Sequence, residues 1–280
     1  MPSDELKART RANYNLASDH FDDPALAFWR RVGERTVERL ELAPGNRVLD
    51  VCCGSGATAI PAAHAVGRFG TVLGVDLAEN LLRLARDKAT VAGLQNVRFR
   101  REDIETMRFP AASCDAVICQ FGIFFLPDME AAMRRLWSLV APGGVIGITT
   151  WGPRVLEPVL GYFWEAVANE RPDLVRASSP CERISAPSQL GRLFTDAGVA
   201  EAEVVEEFSV QPLVRSTDAW SIILGTGTPR GTIAALEPEV AERVRDAVLR
   251  LVELDGIREV EINVIHGVAR RPQAPPKMRA

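Results

Sequence analysis

Three carboxylates stand at matching places in the first half of the chain. Asp50 lies inside the apolar run VLDVCC (48–53), Asp76 closes TVLGVD (71–76), and Asp103 closes NVRFRRED (96–103). Each run reads as a strand, so the three acids recur at or near successive strand ends. A carboxylate so placed can accept hydrogen bonds from both hydroxyls of a ribose or from an amino group. After Asp50 the turn Cys52-Cys53-Gly54-Ser55-Gly56 removes side chains where backbone must pass close to a ligand, and the following helix offers unpaired N–H groups. Asp76 follows Gly56 by 20 residues (76 − 56), a spacing suited to a ribose ligand. Asp103 precedes Ile104, a pair suited to an adenine amino group and its flat face. These residues together fit a nucleoside. Asp50 would repel a pyrophosphate arriving at the turn and would suit a positive ammonium group, which disfavours a nicotinamide-dependent NAD(P) oxidoreductase.

The elements that must position these acids alternate along the chain. RVLDVCC (47–53) leads to a helical stretch near 57–67, TVLGVDL (71–77) to a helix over 78–93, and CDAVICQ (114–120) to a helix over 128–140; APGG and the strand VIGITTW (145–151) follow. Apolar strand cores separated by helices predict an α/β fold, a doubly wound, mostly parallel sheet with helices on both faces. Asp128 stands where an N-cap belongs, Gly93 and Gly198 where helices close, and Ala141-Pro142-Gly143-Gly144 where a helix stops and the chain turns. Beyond 151 the rhythm changes. A helix at 188–198 and an amphipathic helix at 238–256 accompany the alternating runs AEVVEEFSV (202–210) and EINVIHGVAR (261–270), two strands expected to extend a sheet edge. The expected organisation is an N-terminal helical lid (1–40) over the crevice, a main domain over 41–271 with a lid insertion at 153–200, and a tail at 272–280.

The bulk properties exclude several other classes. With 33 basic and 37 acidic side chains the net charge is −4 and carries no nucleic-acid footprint. No run of about 18 apolar residues could cross a membrane, and the N-terminus has no apolar secretion core, so a soluble cytoplasmic protein is expected. Five cysteines, two of them adjacent, do not make a disulfide framework. His20, His64 and His266 share no metal-ligand spacing with them, so no metal is expected. Nothing fixes the oligomeric state; a homodimer remains open.

In this order the motifs resemble the class I S-adenosylmethionine-dependent methyltransferases, especially the small-molecule branch of the ubiquinone and menaquinone C-methyltransferases. VLDVCCGSG is similar to their first motif, with Cys52 in the place of its first glycine; GVDLAENLLRLAR, DIETMRFPAASCDAVICQFGIFFLPD and LVAPGGVIGITTW resemble the later ones. The resemblance covers about residues 44–151. It implies a seven-strand, Rossmann-like sheet of order 3-2-1-4-5-7-6 that binds S-adenosylmethionine and releases S-adenosylhomocysteine. The cofactor residues it implies are Tyr14, Asp50, Cys52, Gly54, Ser55, Gly56, Asp76, Leu77, Asp103, Ile104 and Gln120.

The methyl acceptor is expected to be a small, partly apolar metabolite, quinone-like or polyketide-like, methylated on O, N or C. Phe21, Phe28, Phe121, Phe125 and Trp151 are the candidates to line its pocket. Because the sulfonium methyl is already electrophilic, alignment and exclusion of water carry most of the task, and a base is needed only for an acceptor that must lose a proton. His20 is the candidate base. A protein that binds the cofactor without turnover is the remaining alternative.

Overall fold

Alternate residues of a strand face opposite sides of its sheet, and the first strand shows both sides covered. Val48 packs in one apolar cluster and Leu49 and Val51 in the other. The computed structural model describes residues 3–175 and 179–273; residues 274–280 of the expected tail lie outside them. The strands are β1 (Arg47–Val51), β2 (Thr71–Asp76), β3 (Val97–Arg101), β4 (Cys114–Gln120), β5 (Val140–Trp151), β6 (Glu203–Pro212) and β7 (Glu259–Arg270). They form one seven-stranded sheet of order β3-β2-β1-β4-β5-β7-β6, the expected order. The first five pair in parallel, while β7 lies antiparallel between β5 and β6. Strand order reverses between β1 and β4, where an open α/β sheet leaves a crevice beyond its carboxyl ends.

The helices are α1 (Ser3–Ala17), α2 (Phe28–Leu40), α3 (Ala59–Val66), α4 (Glu79–Val91), α5 (Met129–Leu139), α6 (Val159–Glu170), α7 (Pro187–Asp196), α8 (Thr217–Leu224), α9 (Gly227–Ile233) and α10 (Pro238–Leu254). On one face Ala59, Ala62 and Val66 of α3 and Leu82, Ala85 and Ala89 of α4 pack with Val48, Val72 and Ile118. On the other, Met133 and Leu136 of α5, Phe163 of α6, Phe194 of α7 and Val244 and Val248 of α10 pack with Val117, Ile146 and Ile148. Several ends follow from their residues. The Asp128 carboxylate accepts from Ala131 N at 2.8 Å and caps α5. Gly93 and Gly198, both left-handed, close α4 and α7 with the paired carbonyl contacts of a Schellman turn.

Two parts depart from the sequence reading. The expected turn at 141–144 lies within β5, which begins at Val140 and shifts its register against β4 between Cys114 and Ala116. Helices α8 and α9 were not anticipated: α8 (TDAWSIIL) is too short for its buried Ala219, Ile222 and Ile223 to establish a period, and α9 (GTPRGTI) carries Gly and Thr in place of an apolar stripe. Gly227 and Gly231 of α9 lie one turn apart, and a Cβ on either would fall 2.7 Å from Tyr14 and 2.1 Å from Asn13. Their bare backbone lets α1 approach α9 closely, which fixes α1 over the sheet edge.

Candidate functional site

A cavity open to solvent lies at the carboxyl edge of the sheet. Its wall follows strand order, from Glu102, Asp103 and Ile104 after β3, through Asp76, Leu77 and Ala78 at β2 and Cys52 to Ser55 after β1, to Gln120, Phe121 and Gly122 at β4. Lys7, Thr10, Arg11 and Tyr14 of α1 line it from the other side, together with Phe21, Trp29, Phe125 and Leu126.

Asp76 is clamped at the turn. Gly54 N donates to its Oδ2 at 2.9 Å and Ala78 N to its Oδ1 at 2.8 Å. Burial pushes its carboxyl above the usual range, against the pull of these backbone N–H groups. Each oxygen accepts one backbone N–H and retains capacity to accept another hydrogen, the acceptor chemistry that two ribose hydroxyls, as donors, require. The turn itself is left-handed at Cys52 (φ 57°), Gly54 (φ 52°) and Gly56 (φ 84°). Cys52 is the departure from glycine, and Gly122 accommodates it: a Cβ on residue 122 would lie 2.4 Å from Cys52 Cβ. The Cys53 sulfur instead sits against Gly74, so the two neighbouring thiols diverge across the sheet.

Asp50 and Gly56 are not on the cavity wall. Asp50 is fully buried behind the turn, where its Oδ2 accepts from Thr58 Oγ1 at 2.5 Å and its Oδ1 has no partner. Burial pushes its pKa up to about 7; the Asp76 charge adds to the rise and the Thr58 hydroxyl opposes it. Asp50 therefore ties the strand end to the start of α3.

At the β3 end, Asp103 Oδ1 accepts from Glu105 N at 2.8 Å, and its Oδ2 lies 2.7 Å from Lys7 Nζ, which also pairs with Glu105. Burial works against the Lys7 charge, but hydrogen bonds to the two carboxylates outweigh it and raise the lysine pKa. Ile104 is buried on the wall beside Leu77. Ser55 Oγ accepts from Lys88 Nζ at 2.8 Å. Burial raises the Tyr14 phenol and the Asp76 charge adds to it, so Tyr14 stays a neutral donor edge-on to Phe21 and Phe125. Sequence reasoning missed Lys7, Thr10 and Arg11. The signal was present: they precede Tyr14 by seven, four and three residues and share its helix face.

At the β4 end, Phe21 stacks on Trp29 (5.1 Å, 4°) and Phe121 on Trp151 (4.2 Å, 15°), with Trp29 edge-on to both Phe121 and Trp151. Phe21, Phe121 and Phe125 reach the cavity wall; Phe28 and Trp151 lie behind it as packing. His20 is not on the wall either. Its Nδ1 lies 3.0 Å from Asp23 Oδ2, at the outside of the segment joining α1 and α2. Among the described residues no group of three His, Cys, Asp or Glu could hold a metal ion.

The strand order, the left-handed turn after β1 and the carboxylates after β2 and β3 define a class of nucleoside-binding α/β protein. A family model described as a methyltransferase domain matches residues 48–144. Aklanonic acid methyltransferase of Streptomyces sp. (strain C5) is 36% identical over 54% of this chain and 68% of its own. Demethylmenaquinone methyltransferase of Anoxybacillus flavithermus is 26% identical over 70% of this chain and 89% of its own. Phosphoethanolamine N-methyltransferase 2 of Haemonchus contortus, solved with phosphomonomethylethanolamine and S-adenosylhomocysteine, has a TM-score of 0.53 at 19% identity, over 87% of this chain and 53% of that one, a likeness of fold. This chain belongs to the S-adenosylmethionine-dependent methyltransferases that act on small molecules. No helix among the described residues is long and apolar enough to cross a membrane.

Proposed function

We propose that the cavity holds S-adenosylmethionine along the strand ends, with adenine at Asp103 and Ile104, ribose at Asp76, and the amino-acid end toward Gln120. The observation that carries this reading is the order of the wall, in which acidic acceptors after β3 and β2 give way to a glycine turn and then to an amide at β4. When bound, the sulfonium supplies an electrophilic methyl group. The chain's own residues bind, orient and exclude water: Gly54 brings its backbone close, Leu77 and Ile104 cover the base, and α1 closes the far side. The acceptor of the reading is a planar, partly apolar small molecule seated against Phe21, Phe121 and Phe125, which offer ring faces and no charge. The acceptors named for the relatives, aklanonic acid and demethylmenaquinone, support it. No part of the reaction is assigned to His20, whose ring is turned to Asp23. The reading places the protein in the cytoplasm, supported by its five unpaired cysteines, and without a nucleic-acid partner, supported by its net charge of −4. Calorimetry with S-adenosylmethionine, S-adenosylhomocysteine and NAD tests the ligand: binding of NAD alone would overturn it. Labelled S-adenosylmethionine and a metabolite extract, resolved by mass, test the acceptor; label found only on acyclic polar products would remove the aromatic seat.

A further inference from the structure

Behind the cavity wall at β4 lies a chain of buried polar side chains. Thr36, Gln120, Thr149 and His266 come from α2, β4, β5 and β7 and are each no more than 8% exposed. Thr36 Oγ1 lies 2.9 Å from each of three oxygens: Val32 O, Gln120 Oε1 as the amide is drawn, and Thr149 Oγ1. Thr149 Oγ1 lies 3.1 Å from His266 Nδ1. A further approach, Thr36 Oγ1 to the same nitrogen at 3.5 Å, is too long to count.

Each hydrogen bond needs one hydrogen, and the hydrogens can be counted. With the Gln120 oxygen facing Thr36, the four contacts must share three hydrogens, from Thr36, Thr149 and His266. Val32 O and Gln120 Oε1 would then compete for the one Thr36 hydrogen, and one of them would meet Thr36 Oγ1 lone pair to lone pair. With the Gln120 amide turned so that Nε2 faces Thr36, four hydrogens serve four contacts. His266 Nδ1–H donates to Thr149, Thr149 to Thr36, Thr36 to Val32 O, and Gln120 Nε2–H fills the second acceptor site of Thr36. The second Gln120 Nε2 hydrogen lies outside these four contacts, and His266 Nε2 is left without a partner as a bare lone pair, which is tolerated in a protein interior more readily than an orphaned N–H. Burial and the Arg39 charge lower the His266 pKa to about 4, with Glu207 opposing them, so the ring is neutral as this chain requires.

We infer that Gln120 presents its carbonyl oxygen to the cavity, that Thr36, held by Thr149 and His266, is the positioning residue that fixes it there, and that the oxygen takes the cationic amino-acid end of S-adenosylmethionine. The last step rests on the proposed placement of the ligand. An acceptor oxygen suits a sulfonium or ammonium group, both of which lie at the end of that ligand remote from adenine. Gln120 is likewise at the end of the wall remote from Asp103, with β2 and β1 between their strands.

Calorimetry on the full chain tests the inference with three ligands. Thr36→Val should weaken S-adenosylmethionine by about tenfold, the scale of one hydrogen bond to a charged group, and leave 5′-methylthioadenosine, which has the nucleoside but no amino-acid end, within about twofold. Thr36→Ser should restore the affinity. S-Adenosylhomocysteine sorts the cation: a parallel loss points to the ammonium, an unchanged affinity to the sulfonium. Equal loss for all three ligands, as a merely structural change would give, or loss for none, overturns the inference. If the unaltered protein binds none of them, the proposed function fails first. Side-chain amide exchange in ¹⁵N-glutamine-labelled protein, with Gln120→Leu to assign the signal, needs no Thr36 variant. One slowly exchanging Gln120 proton is expected; two rapidly exchanging ones would show the oxygen facing Thr36 and overturn it.

Discussion

At the β3–β2–β1 end of the cavity the acids are held by backbone N–H groups whose positions the strands dictate, whereas at the β4–β5 end the wall is a stack of rings. Asp76 accepts from Gly54 and Ala78, and Asp103 from Glu105. Phe21, Trp29, Phe121 and Trp151 touch one another face to face or edge on and direct nothing by hydrogen bond at their faces. The first arrangement fixes one ligand in one orientation, because a hydrogen bond has direction. The second selects by shape and apolar area, which many planar molecules share. On the proposed placement, the methyl donor is held by direction and the acceptor by shape.

The contrast can be broken at either end. Trp151→Ala removes the ring on which Phe121 stacks and leaves a buried void; about 3–5 kcal/mol of folding stability should be lost, read as a shift of the urea midpoint. Affinity for S-adenosylmethionine should fall far less, and a larger fall in affinity than in stability would erase the distinction between the ends. Asp76→Ala should weaken S-adenosylmethionine by about 1–3 kcal/mol through lost charge-assisted hydrogen bonds; an unchanged dissociation constant would remove the ribose assignment.

The two ends also titrate in opposite senses. Asp50, behind the turn, has a folded pKa of about 7 against an ordinary 3.8, so the folded protein holds an extra proton between those values. Its contribution is full below 3.8 and is lost as pH rises to about 7. His266, behind Gln120, has a folded pKa of about 4 against 6.5, so there the unfolded chain holds the extra proton and stability rises with pH from 4 to 6.5. Urea midpoints across this window should change little in the unaltered protein. They should rise more steeply with pH in Asp50→Asn and fall with pH in His266→Gln; parallel slopes in all three proteins would discard both assignments. The smallest effect is expected from Lys7→Ala, which unties α1 from Asp103 and Glu105. A half-screened ion pair is worth about 0.2–1 kcal/mol, measurable as a small midpoint shift that high salt abolishes.

The same contrast governs what could be read in the sequence. Strand runs and helical stripes repeat at fixed periods, and a carboxylate at a strand end is informative because few strand ends have reason to carry one. Asp76 and Asp103 were legible for that reason, and both line the cavity. Asp50 shares the pattern, yet as a residue inside its strand it faces the layer of α3 and bonds Thr58. Aromatic residues carry no such mark, since a ring is as suited to a core as to a wall; Phe28 and Trp151 stand behind Phe121, not beside it. The Thr36–Gln120–Thr149–His266 chain joins residues up to 230 positions apart, and no local pattern announces such a meeting. Helix α9 was illegible because its role rests on two glycines having no side chain.

The left-handed Cys52 has a bearing on chemical labelling. It is the one cysteine of five that is only half-buried, and by exposure alone it would be the first to be alkylated or oxidised. Its hydrogen bond to Cys119, its burial and the charges around it instead hold the thiol well above its ordinary pKa, and the thiolate is the reactive form. A thiol-directed dye should therefore label the native chain slowly and the urea-unfolded chain at once.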